Sequence, residues 1–501
     1  MTVNIRDIMD AASSGAIRAT AVSETAAPFA REMRVSPVVL AGMVRVGEIA
    51  LVAASGLIVH IAYLKGAVPF GWQYLLAVGA VTVLSAIAFQ AVGAYTPTAI
   101  RSLLLSGLKL AAAWSFVFLG ALAAVFFLKA GHNLSRVWLG SWYLSGLAAI
   151  VAERICLSVV VRRMAAQGRF DRRTAIVGGG EPANEIIRAL QAQPETGIRI
   201  VGIFDDRDDS RSPPVIGGYE KLGTVPDLVE YARRTPLDLV IFTLPISAEN
   251  RLLEMLGRLW VLPIDIRLSA HASKIRLRPR SYSYIGSVPV LDVFDRPIAD
   301  WDLILKWLFD KVVGCLLLVL TFPLLVACAV AVKLDSRGPV LFRQKRYGFN
   351  NELIEVFKFR SMYVDQADAT AAKLVTKDDP RVTRVGRILR KTSLDELPQL
   401  LNVVFQGNMS LVGPRPHAFH AKAENRLYDQ VVDGYFARHK VKPGITGWAQ
   451  VNGWRGETDT QEKIQRRVEH DLYYIENWSA FFDLYILAAT PISLLKTENA
   501  Y

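Results

Sequence analysis

The chain has 501 residues, of which 52% are hydrophobic, and this apolar fraction is too high for an ordinary water-soluble protein. The 58 Lys and Arg residues exceed the 46 Asp and Glu residues, and the resulting net charge of +12 indicates an anionic partner such as anionic lipid or a phosphorylated substrate. Nucleic acid is the weaker option because the sequence lacks zinc-finger spacing, basic heptads and RNP-type aromatic motifs. The three cysteines lie in apolar stretches, which argues against a disulfide framework or a metal cluster.

The first part of the chain predicts a polar tail followed by membrane-spanning helices. Residues 1–37 mix Ala, Ser and charges of both signs, which is typical of a disordered cytoplasmic tail. Four apolar segments follow, each reaching the roughly 20 residues needed to cross a bilayer, at about 38–64, 70–94, 104–128 and 137–161. Their short connections predict a four-helix transmembrane bundle over 38–165. Arginines cluster before the first segment and after the fourth, so both ends of the bundle should lie in the cytoplasm.

Two charge pairs lie inside the predicted bundle, Arg45 with Glu48 and Glu153 with Arg154. Ionisable residues in membrane spans often mark transport paths, but both pairs fall toward the cytoplasmic leaflet in this topology. Mutual pairing or snorkelling lowers the cost of a charge at that depth. We therefore expect a structural role for both pairs.

Residues 166–295 predict a Rossmann-like α/β domain. A buried strand at 174–177 is followed by the glycine turn Gly178-x-Gly180-x-x-Ala183 and a helical run, and further strands follow. This βαβ alternation is typical of a doubly wound parallel sheet. The glycine spacing permits a dinucleotide but is a weak signal alone, and the chain lacks the Tyr-x-x-x-Lys pair of sugar-nucleotide dehydrogenases and epimerases. We favour a regulatory or structural role for this domain over nucleotide binding. Redox catalysis is the least favoured of the three roles.

A fifth apolar segment, residues 312–332, carries no charge, is long enough to span a bilayer and has Pro323 at its middle. Proline removes a backbone hydrogen bond and kinks a helix. Basic residues flank the segment on both sides, so both flanks favour the cytoplasmic side. We therefore predict a re-entrant membrane hairpin over 300–336 that enters, breaks at Pro323 and returns, with a true span as the alternative.

The remaining residues, 337–501, predict a small α/β domain. Short strands are predicted at 339–342 and 354–359, and helices at 394–405, 417–439 and 459–476. The apolar stretch 480–496 is interrupted by Asp483 and Pro491, which suits an interfacial helix better than a span. Such a helix would hold the domain at the cytoplasmic headgroup plane.

Two adjacent carboxylates, Asp395 and Glu396, stand just before a helical apolar pattern. Ser393 followed by Glu396 matches a capping box, which predicts that the pair lies in the first turn of a helix. The free N–H groups and positive end of a helix stabilise anions, so a phosphate could dock beside the acids. Adjacent helical residues point about 100° apart, which favours different roles. One acid would attack phosphorus while the other holds a divalent cation.

Further motifs surround this pair in a fixed order: FRQKRYG at 342–348, KFRSM at 358–362, GNMSLVGPRP at 407–416 and KPGITGWAQVNG at 442–453. With the acid pair, this set resembles the bacterial polyprenyl-phosphate phosphosugar transferases, which start exopolysaccharide and O-antigen repeat units. The resemblance covers about residues 305–500. The preceding part of the chain resembles the long, multi-span members of that family, especially the undecaprenyl-phosphate glucose phosphotransferases.

The resemblance implies a two-step transfer through the first acid of the pair. Asp395 would attack the β-phosphorus of a UDP-sugar and form an aspartyl-phosphosugar, which undecaprenyl phosphate then takes. Asp395 and Glu396 would hold Mg²⁺, which bridges diphosphate oxygens. The expected partners are a UDP-sugar, with UDP-glucose favoured, undecaprenyl phosphate and inner-membrane lipid, without nucleic acid. A homodimer would be unsurprising for a bundle of this size.

Basic residues near the acid pair are candidates for binding phosphate, because Arg grips phosphate bidentately and Lys adds charge. They are Arg390, Arg415, Lys358 and Arg360. Prolines on both sides of Arg415 fix the backbone there and pre-position its charge. The turn at 443–447 could cradle the base or sugar, with a purely structural turn as the alternative. The candidates for that contact are Thr446, Gln450 and Asn452.

Two other functions use the Rossmann-like domain instead. A membrane-anchored sugar-nucleotide epimerase or dehydratase would need a catalytic pair there, and the missing Tyr-x-x-x-Lys pair argues against it. A non-enzymatic assembly or sensor protein would bind a nucleotide effector there, and transfer to undecaprenyl phosphate would exclude it. We therefore predict a multi-pass enzyme of the bacterial inner membrane with its catalytic domain in the cytoplasm.

Overall fold

The structure is a computed structural model of the chain. It describes residues 34–64, 71–96, 99–100, 103–127, 129, 134–193, 196–207, 212–244, 248–270, 283–364, 379–416, 422–423, 426–427, 435–454 and 460–495. The described residues before Arg172 form one compact unit, and those from Arg172 onward form a second. The predicted tail over 1–37 lies almost wholly outside the described residues.

The first unit consists of long helices that pack around one apolar core. They are α1 (Pro37–Leu64), α2 (Trp72–Ala91), α3 (Leu103–Phe127) and α4 (Arg136–Ala166). A helix therefore occupies each of the four predicted apolar segments. Each is long and apolar enough to cross a membrane.

Tryptophans fill the centre of this unit, and Trp114 on α3 is fully buried together with Trp138 and Trp142 on α4. The ring centroids of Trp138 and Trp142 lie 5.0 Å apart. Trp138 Nε1 donates to the carbonyl of Gly56 at 3.0 Å, so a buried indole N–H has a partner. Glycines on the facing helices make room for these rings, as small residues do in membrane helix packing.

Gly146→Ala should destabilise this unit by about 1–3 kcal/mol because it overpacks the core. A Cβ at Gly146 would lie 2.5 Å from Cζ2 of Trp114, a distance that forces the ring or the helix to move. Gly140→Ala on the same helix is the matched control, because its Cβ would meet no described atom within 4 Å. Thermal unfolding in detergent should show a lower midpoint for the first variant only. Equal midpoints would contradict the prediction.

One ion pair of this unit joins two of its helices. Glu48 is fully buried, and its Oε1 lies 2.5 Å from an Arg154 guanidinium nitrogen. Arg154 also lies 3.7 Å from Glu153, which confirms that predicted pair. Arg45 lies over the Tyr95 ring at 5.8 Å from its centroid, while Glu48 pairs with Arg154. The Glu48–Arg154 pair joins α1 to α4, as a structural role requires.

The second unit begins with an eight-stranded sheet in the order β3-β4-β2-β1-β5-β6-β8-β7. Its strands are β1 (Arg172–Val177), β2 (Ile198–Phe204), β3 (Val215–Ile216), β4 (Tyr219–Gly223), β5 (Leu239–Phe242), β6 (Asp265–Ser269), β7 (Ser283–Ile285) and β8 (Val288–Phe294). Its helices are α5 (Glu181–Gln191), α6 (Val225–Arg234) and α7 (Glu249–Leu259). The central strands pair in parallel, whereas β8 joins β6 and β7 antiparallel. The predicted α/β domain is therefore confirmed.

Side chains of the domain itself occupy the glycine turn after β1. Gly178 and Gly180 have φ angles of 98° and 80°, which glycine adopts most easily. The N–H of Gly179 donates to Asp205 Oδ2 at 2.7 Å. Arg207 lies 2.7 Å from the same carboxylate oxygen and donates to the Gly179 carbonyl at 2.8 Å. This closed arrangement favours the structural or regulatory role of the domain over nucleotide binding.

A single helix of 36 residues, α8 (Asp300–Asp335), follows the sheet domain. The helix continues across Pro323, so a division into two separate helices is not found, and a kink of this helix at the proline stays a prediction. Leu317, in the first half, and Cys328 with Val332, in the second half, all pack against the residues that follow. The helix is long and apolar enough to cross a membrane, and re-entry stays a prediction.

The described residues from 337 onward form the C-terminal domain. Its strands are β9 (Leu341–Tyr347), β10 (Leu353–Phe359), β11 (Ser410–Val412), β12 (Lys422–Ala423), β13 (Arg426–Leu427) and β14 (Gly444–Thr446). Its α-helices are α9 (Arg384–Thr392), α10 (Gln399–Leu401), α11 (Trp448–Val451), α12 (Gln461–Glu476) and α13 (Ala480–Leu495). Its 3-10 turns are Phe349–Asn351, Leu394–Glu396 and Tyr435–Lys440, and a π-helical turn spans Asn402–Gln406.

The predicted elements of this domain are found with shifted ends, with two exceptions. The predicted helix over 394–405 is divided into the 3-10 turn Leu394–Glu396, the three-residue α10 and the π-helical turn Asn402–Gln406. Strands near 339–342 and 354–359 and helices near 459–476 and 480–496 are confirmed. The predicted helix over 417–439 is wrong where the structure describes it, because β12 and β13 form an antiparallel pair there and a 3-10 turn follows. The rest of that prediction lies outside the described residues.

Candidate active site

The acid pair lies in the 3-10 turn Leu394–Glu396, between α9 and α10. Ser393 has φ 58° and ψ 17°, and it is the left-handed residue that ends α9. The capping-box interpretation is therefore wrong, because Ser393 closes the preceding helix instead of opening the next one. A turn of three residues also supplies little of the helix-end field that the predicted phosphate docking invoked. The electrostatics of the site must come from side chains.

Two cationic side chains form ion pairs with the second acid, Glu396. Lys358 Nζ, from β10, and an Arg415 guanidinium nitrogen each lie 2.7 Å from Glu396 Oε1. Burial opposes ionisation of Glu396, but the charges of Arg415 and Lys358 outweigh it and hold the pKa of this carboxyl well below its usual range. Burial also lowers the pKa of Lys358, against the attraction of Glu396. The three side chains form one compact charged cluster.

The pKa of the first acid, Asp395, is shifted in the opposite direction. Burial raises the pKa of Asp395 above its usual value, against the positive charge of Lys358. The neighbouring Glu396 carboxylate adds to the rise. Adjacent acids whose pKa values are pushed apart are typical of a pair with two different roles. The division between a nucleophile and a charge-holding residue stays a prediction.

A small, partly open cavity lies beside this cluster. Basic side chains line it together with one carboxylate: Arg346, Lys358, Arg415 and Glu396. Gln399 and Ile445 also contribute to its wall. An excess of positive charge in a concave, largely buried site suits a group with several negative charges, such as a diphosphate.

Arg346 and Gln399 were not among the predicted site residues, although Arg346 belongs to the FRQKRYG motif at 342–348. Arg346 lies opposite Ile354 in the β9–β10 hairpin, and Val356 and Lys358 follow at alternate positions. Alternate residues of a strand face the same side, so Arg346 and Lys358 share the cavity face. The signal that could have found Arg346 was this alternation, given the antiparallel register.

The other two predicted phosphate-binding residues have different positions. Arg390 donates to Ser361 Oγ at 2.8 Å, and its charge acts on Asp395. Arg360 is 4% exposed and donates to the backbone carbonyls of Ser336 and Arg337, both at 2.7 Å. Those carbonyls follow the end of α8, where helix carbonyls lack partners. The prediction for Arg360 is therefore corrected: it caps the membrane helix and does not face the acid pair.

The residues predicted to contact the base or sugar do not line the cavity. Thr446 is buried, with its hydroxyl 2.8 Å from that of Thr490. Asn452 donates to the Trp448 carbonyl at 2.8 Å, and Gln450 is buried. Their neighbours Gly444 and Ile445 reach the cavity instead. The structure supports a structural role for this turn.

Glycines in two motifs allow their backbones to meet. A Cβ at Gly444 would lie 2.1 Å from the Gly413 nitrogen, and one at Gly447 would lie 2.3 Å from the Gly413 oxygen. The Gly413 N–H donates to the Thr446 carbonyl at 2.9 Å, which continues the parallel pairing of β11 with β14. The backbone leading to Arg415 is therefore fixed by a neighbouring segment as well as by its own prolines.

A buried polar network that involves α8 and α13 supports the same backbone. Lys306 Nζ, on α8, donates to the Val412 carbonyl at 2.9 Å and lies 2.6 Å from Asp483 Oδ2, on α13. Tyr474 donates to Asp483 Oδ1 at 2.8 Å. Asp310, also on α8, accepts hydrogen bonds from Ser410 Oγ at 2.9 Å and from the Leu411 N–H at 3.0 Å. Helices α8 and α13 are thus joined to the strand that precedes Arg415.

No group of three or more His, Cys, Asp and Glu residues that could hold a metal occurs among the described residues. Asp395 and Glu396 nevertheless offer two adjacent carboxylates. Mg²⁺ in phosphate-transfer sites is commonly bound by one or two carboxylates, with substrate phosphates and waters completing its shell. The donor set therefore fits a cation that binds together with a diphosphate.

Comparison with known proteins identifies the class that this fold and site define. The Bacterial sugar transferase family matches residues 301–497, and a CoA-binding domain family matches residues 90–270. The chain belongs to the bacterial sugar transferase family, and it is a multi-pass membrane enzyme. The predicted family is therefore confirmed.

Three named relatives indicate which bacterial sugar transferases this chain is similar to. The UDP-glucose:undecaprenyl-phosphate glucose-1-phosphate transferase of Xanthomonas campestris pv. campestris is 36% identical over 92% of this chain and 94% of its own length. The protein of the same name from Escherichia coli (strain K12) is 39% identical over 73% of this chain and 76% of its own length. The UDP-galactose-lipid carrier transferase of Erwinia amylovora is 31% identical over 74% of this chain and 77% of its own length.

Proposed function

We propose that the protein transfers glucose 1-phosphate from UDP-glucose to undecaprenyl phosphate, starting a repeat unit of exopolysaccharide or O-antigen. The observation that carries this proposal is the cavity lined by Arg346, Lys358, Arg415 and Glu396, with Asp395 adjacent to Glu396 in the same turn. Relatives named for glucose are 36% and 39% identical to this chain, and one named for galactose is 31% identical, which favours glucose.

In the first step, a carboxylate oxygen of Asp395 attacks the β-phosphorus of UDP-glucose. The bond from that phosphorus to the bridging oxygen breaks, and UMP leaves with this oxygen and its electron pair. An aspartyl-phosphoglucose intermediate remains. Lys358 and Arg415, held in place by Glu396, offer positive charge to the phosphate oxygens throughout.

In the second step, a phosphate oxygen of undecaprenyl phosphate attacks the same phosphorus atom. The bond from phosphorus to the Asp395 oxygen breaks, which restores the carboxylate and yields undecaprenyl-diphospho-glucose. Asp395 and Glu396 would also hold Mg²⁺, which supplies neutralisation of charge on the diphosphate. Both steps therefore use the same cationic wall.

We also propose that the C-terminal domain lies on the cytoplasmic face of the bacterial inner membrane, with α8 entering one leaflet and α1 to α4 crossing. Lys306 near the start of α8 contacts Val412, and Val332 near its end accepts a hydrogen bond from Arg360 at 3.3 Å. A helix that crosses the roughly 30 Å bilayer core places its ends on opposite sides, so contacts of both ends with one domain favour re-entry. Labelling of the segment after Val332 from the periplasm would contradict this placement.

The reaction can be tested with the full-length protein in phospholipid vesicles that contain undecaprenyl phosphate and Mg²⁺. UDP-glucose, UDP-galactose and UDP-N-acetylgalactosamine are each offered, and UMP release and the lipid-linked product are measured. We expect the highest kcat/KM with UDP-glucose. A higher value with another UDP-sugar would overturn the choice of sugar, and absence of UMP release with every donor would overturn the reaction.

A further inference from the structure

The 3-10 turn Tyr435–Lys440, called the bridging segment below, lies between the sheet domain and the cavity. Both of these belong to the second compact unit. Its residues Tyr435, Arg438 and His439 are buried, as segments in a packed interface are. Neither the transfer chemistry nor the membrane contacts explain why this segment is held on both sides.

On its outer side, the bridging segment contacts the sheet domain through cations and rings. The Arg233 guanidinium, from the end of α6, lies 5.6 Å from the centroid of the Phe436 ring. Lys440 Nζ lies 5.1 Å from the Trp260 ring centroid and 5.7 Å from that of Phe294. All three distances fall within the range of cation–π attraction.

The tip of the β9–β10 hairpin contacts the same two elements. Asn350 and Asn351 have φ angles of 52° and 60°, which a tight hairpin turn requires at its central positions. Asn350 Nδ2 donates to the Ala232 carbonyl at the end of α6 at 3.1 Å, and Asn351 Oδ1 contacts His439 Nδ1. This hairpin carries two of the cationic residues of the cavity.

On its opposite side, the bridging segment contacts Arg415, the third cationic residue of the cavity. Arg438 is fully buried, and its guanidinium lies 2.5 Å from Asp471 Oδ2 on α12. The same guanidinium donates to the backbone carbonyl of Arg415 at 2.8 Å. Arg415 in turn holds Glu396. One buried side chain therefore connects the bridging segment to the backbone of the active-site arginine.

We propose that the Rossmann-like domain sets the geometry of the transferase cavity through the bridging segment, with Arg438 as a positioning residue for Arg415. The domain holds the far ends of the two elements on which the cavity cations depend. Pre-organised cations stabilise developing charge best when their supports cannot relax. The inference rests on the proposed function, because its readout is transfer from UDP-glucose.

The first test replaces the buried pair as a whole with Arg438→Met/Asp471→Leu. Exchange of a buried ion pair for apolar residues of similar size is often neutral for stability, so the thermal midpoint should stay near that of wild type. The donor to the Arg415 carbonyl is lost, and we expect kcat/KM for UDP-glucose to fall about tenfold with a rise in KM. Loss of folded enzyme alone would lower apparent kcat without changing KM.

The second test weakens the contact with the sheet domain. Arg233→Ala/Lys440→Ala removes both cations of that contact, and we expect KM to rise by about three- to fivefold. The matched control, Arg234→Ala/Arg258→Ala, removes two exposed arginines of the same domain that pair with Glu230 and Glu254 on their own helices. The control should keep the wild-type KM.

Both tests use the full-length protein in vesicles with UDP-glucose and undecaprenyl phosphate. A wild-type KM in either test variant, with a stable fold, would overturn the proposed role of the domain. A rise in the control equal to that in the interface variant would overturn it as well. If wild-type protein released no UMP, the proposed function would fail instead, so the two failures are distinguishable.

Discussion

Asp395→Asn should reduce UMP release by at least about 1,000-fold, because the amide cannot attack phosphorus to form the covalent intermediate. The same change should leave stability unchanged or slightly higher. Burial raises the pKa of Asp395, so the ionised carboxylate costs folding free energy at neutral pH, and a neutral side chain removes that cost. UMP release in vesicles and the thermal midpoint in detergent measure the two effects.

The matched control for this variant is Asp302→Asn, which makes the same chemical change at an exposed acid near the start of α8. It should keep wild-type turnover and stability. Retained UMP release in the Asp395 variant would exclude the covalent mechanism. A large loss of stability in that variant would instead show that the charge of Asp395 supports the fold.

Glu396→Gln should lose both turnover and about 3 kcal/mol of stability. Its neutral amide leaves the largely buried cations Lys358 and Arg415 without their shared anion. The free-energy cost of leaving these cations unpaired exceeds the stability that the intact ion pairs contributed. Because the pKa of Glu396 is held well below its usual range, this stabilisation is present above the ordinary carboxyl pKa. It is lost only as pH falls through the depressed value. Thermal unfolding at neutral pH measures the loss.

A second substitution separates charge from packing in this cluster. Lys358→Met added to Glu396→Gln removes one of the two unpaired cations, so part of the lost stability should return. Turnover should not return, because the cavity then lacks a phosphate-binding charge. Equal thermal midpoints for wild type and the single variant would contradict the electrostatic account. The opposite stability effects at Asp395 and Glu396 are what two adjacent acids with different roles should give.

The sequence predicted the large features because their signals are local. Runs of about 20 apolar residues and βαβ alternation are decided by length and period, and the helices and sheet appear where expected. The acid pair, Lys358 and Arg415 were found because their charges stand in an unusual order. The structure brings them together at hydrogen-bonding distance.

The errors come from features that tertiary contacts decide. Ser393 matches a capping box in sequence, yet its left-handed backbone ends the helix before it. Lys358 and Arg360 would face the same side if β10 continued, but the strand ends at Phe359 and Arg360 turns to the end of α8. Arg346 was overlooked because its face depends on the register of the hairpin, which residue type does not reveal.

The network around Asp483 has a consequence for anyone who wants a water-soluble form of this enzyme. Cutting away α8 would remove Lys306 and Asp310, so the buried carboxylate of Asp483 would lose its cation and β11 would lose two anchors. Such a truncated protein should aggregate rather than dissolve. The better route keeps the helix and exchanges its outward apolar side chains, such as Leu316 and Val319, which are 57% and 71% exposed, for polar ones.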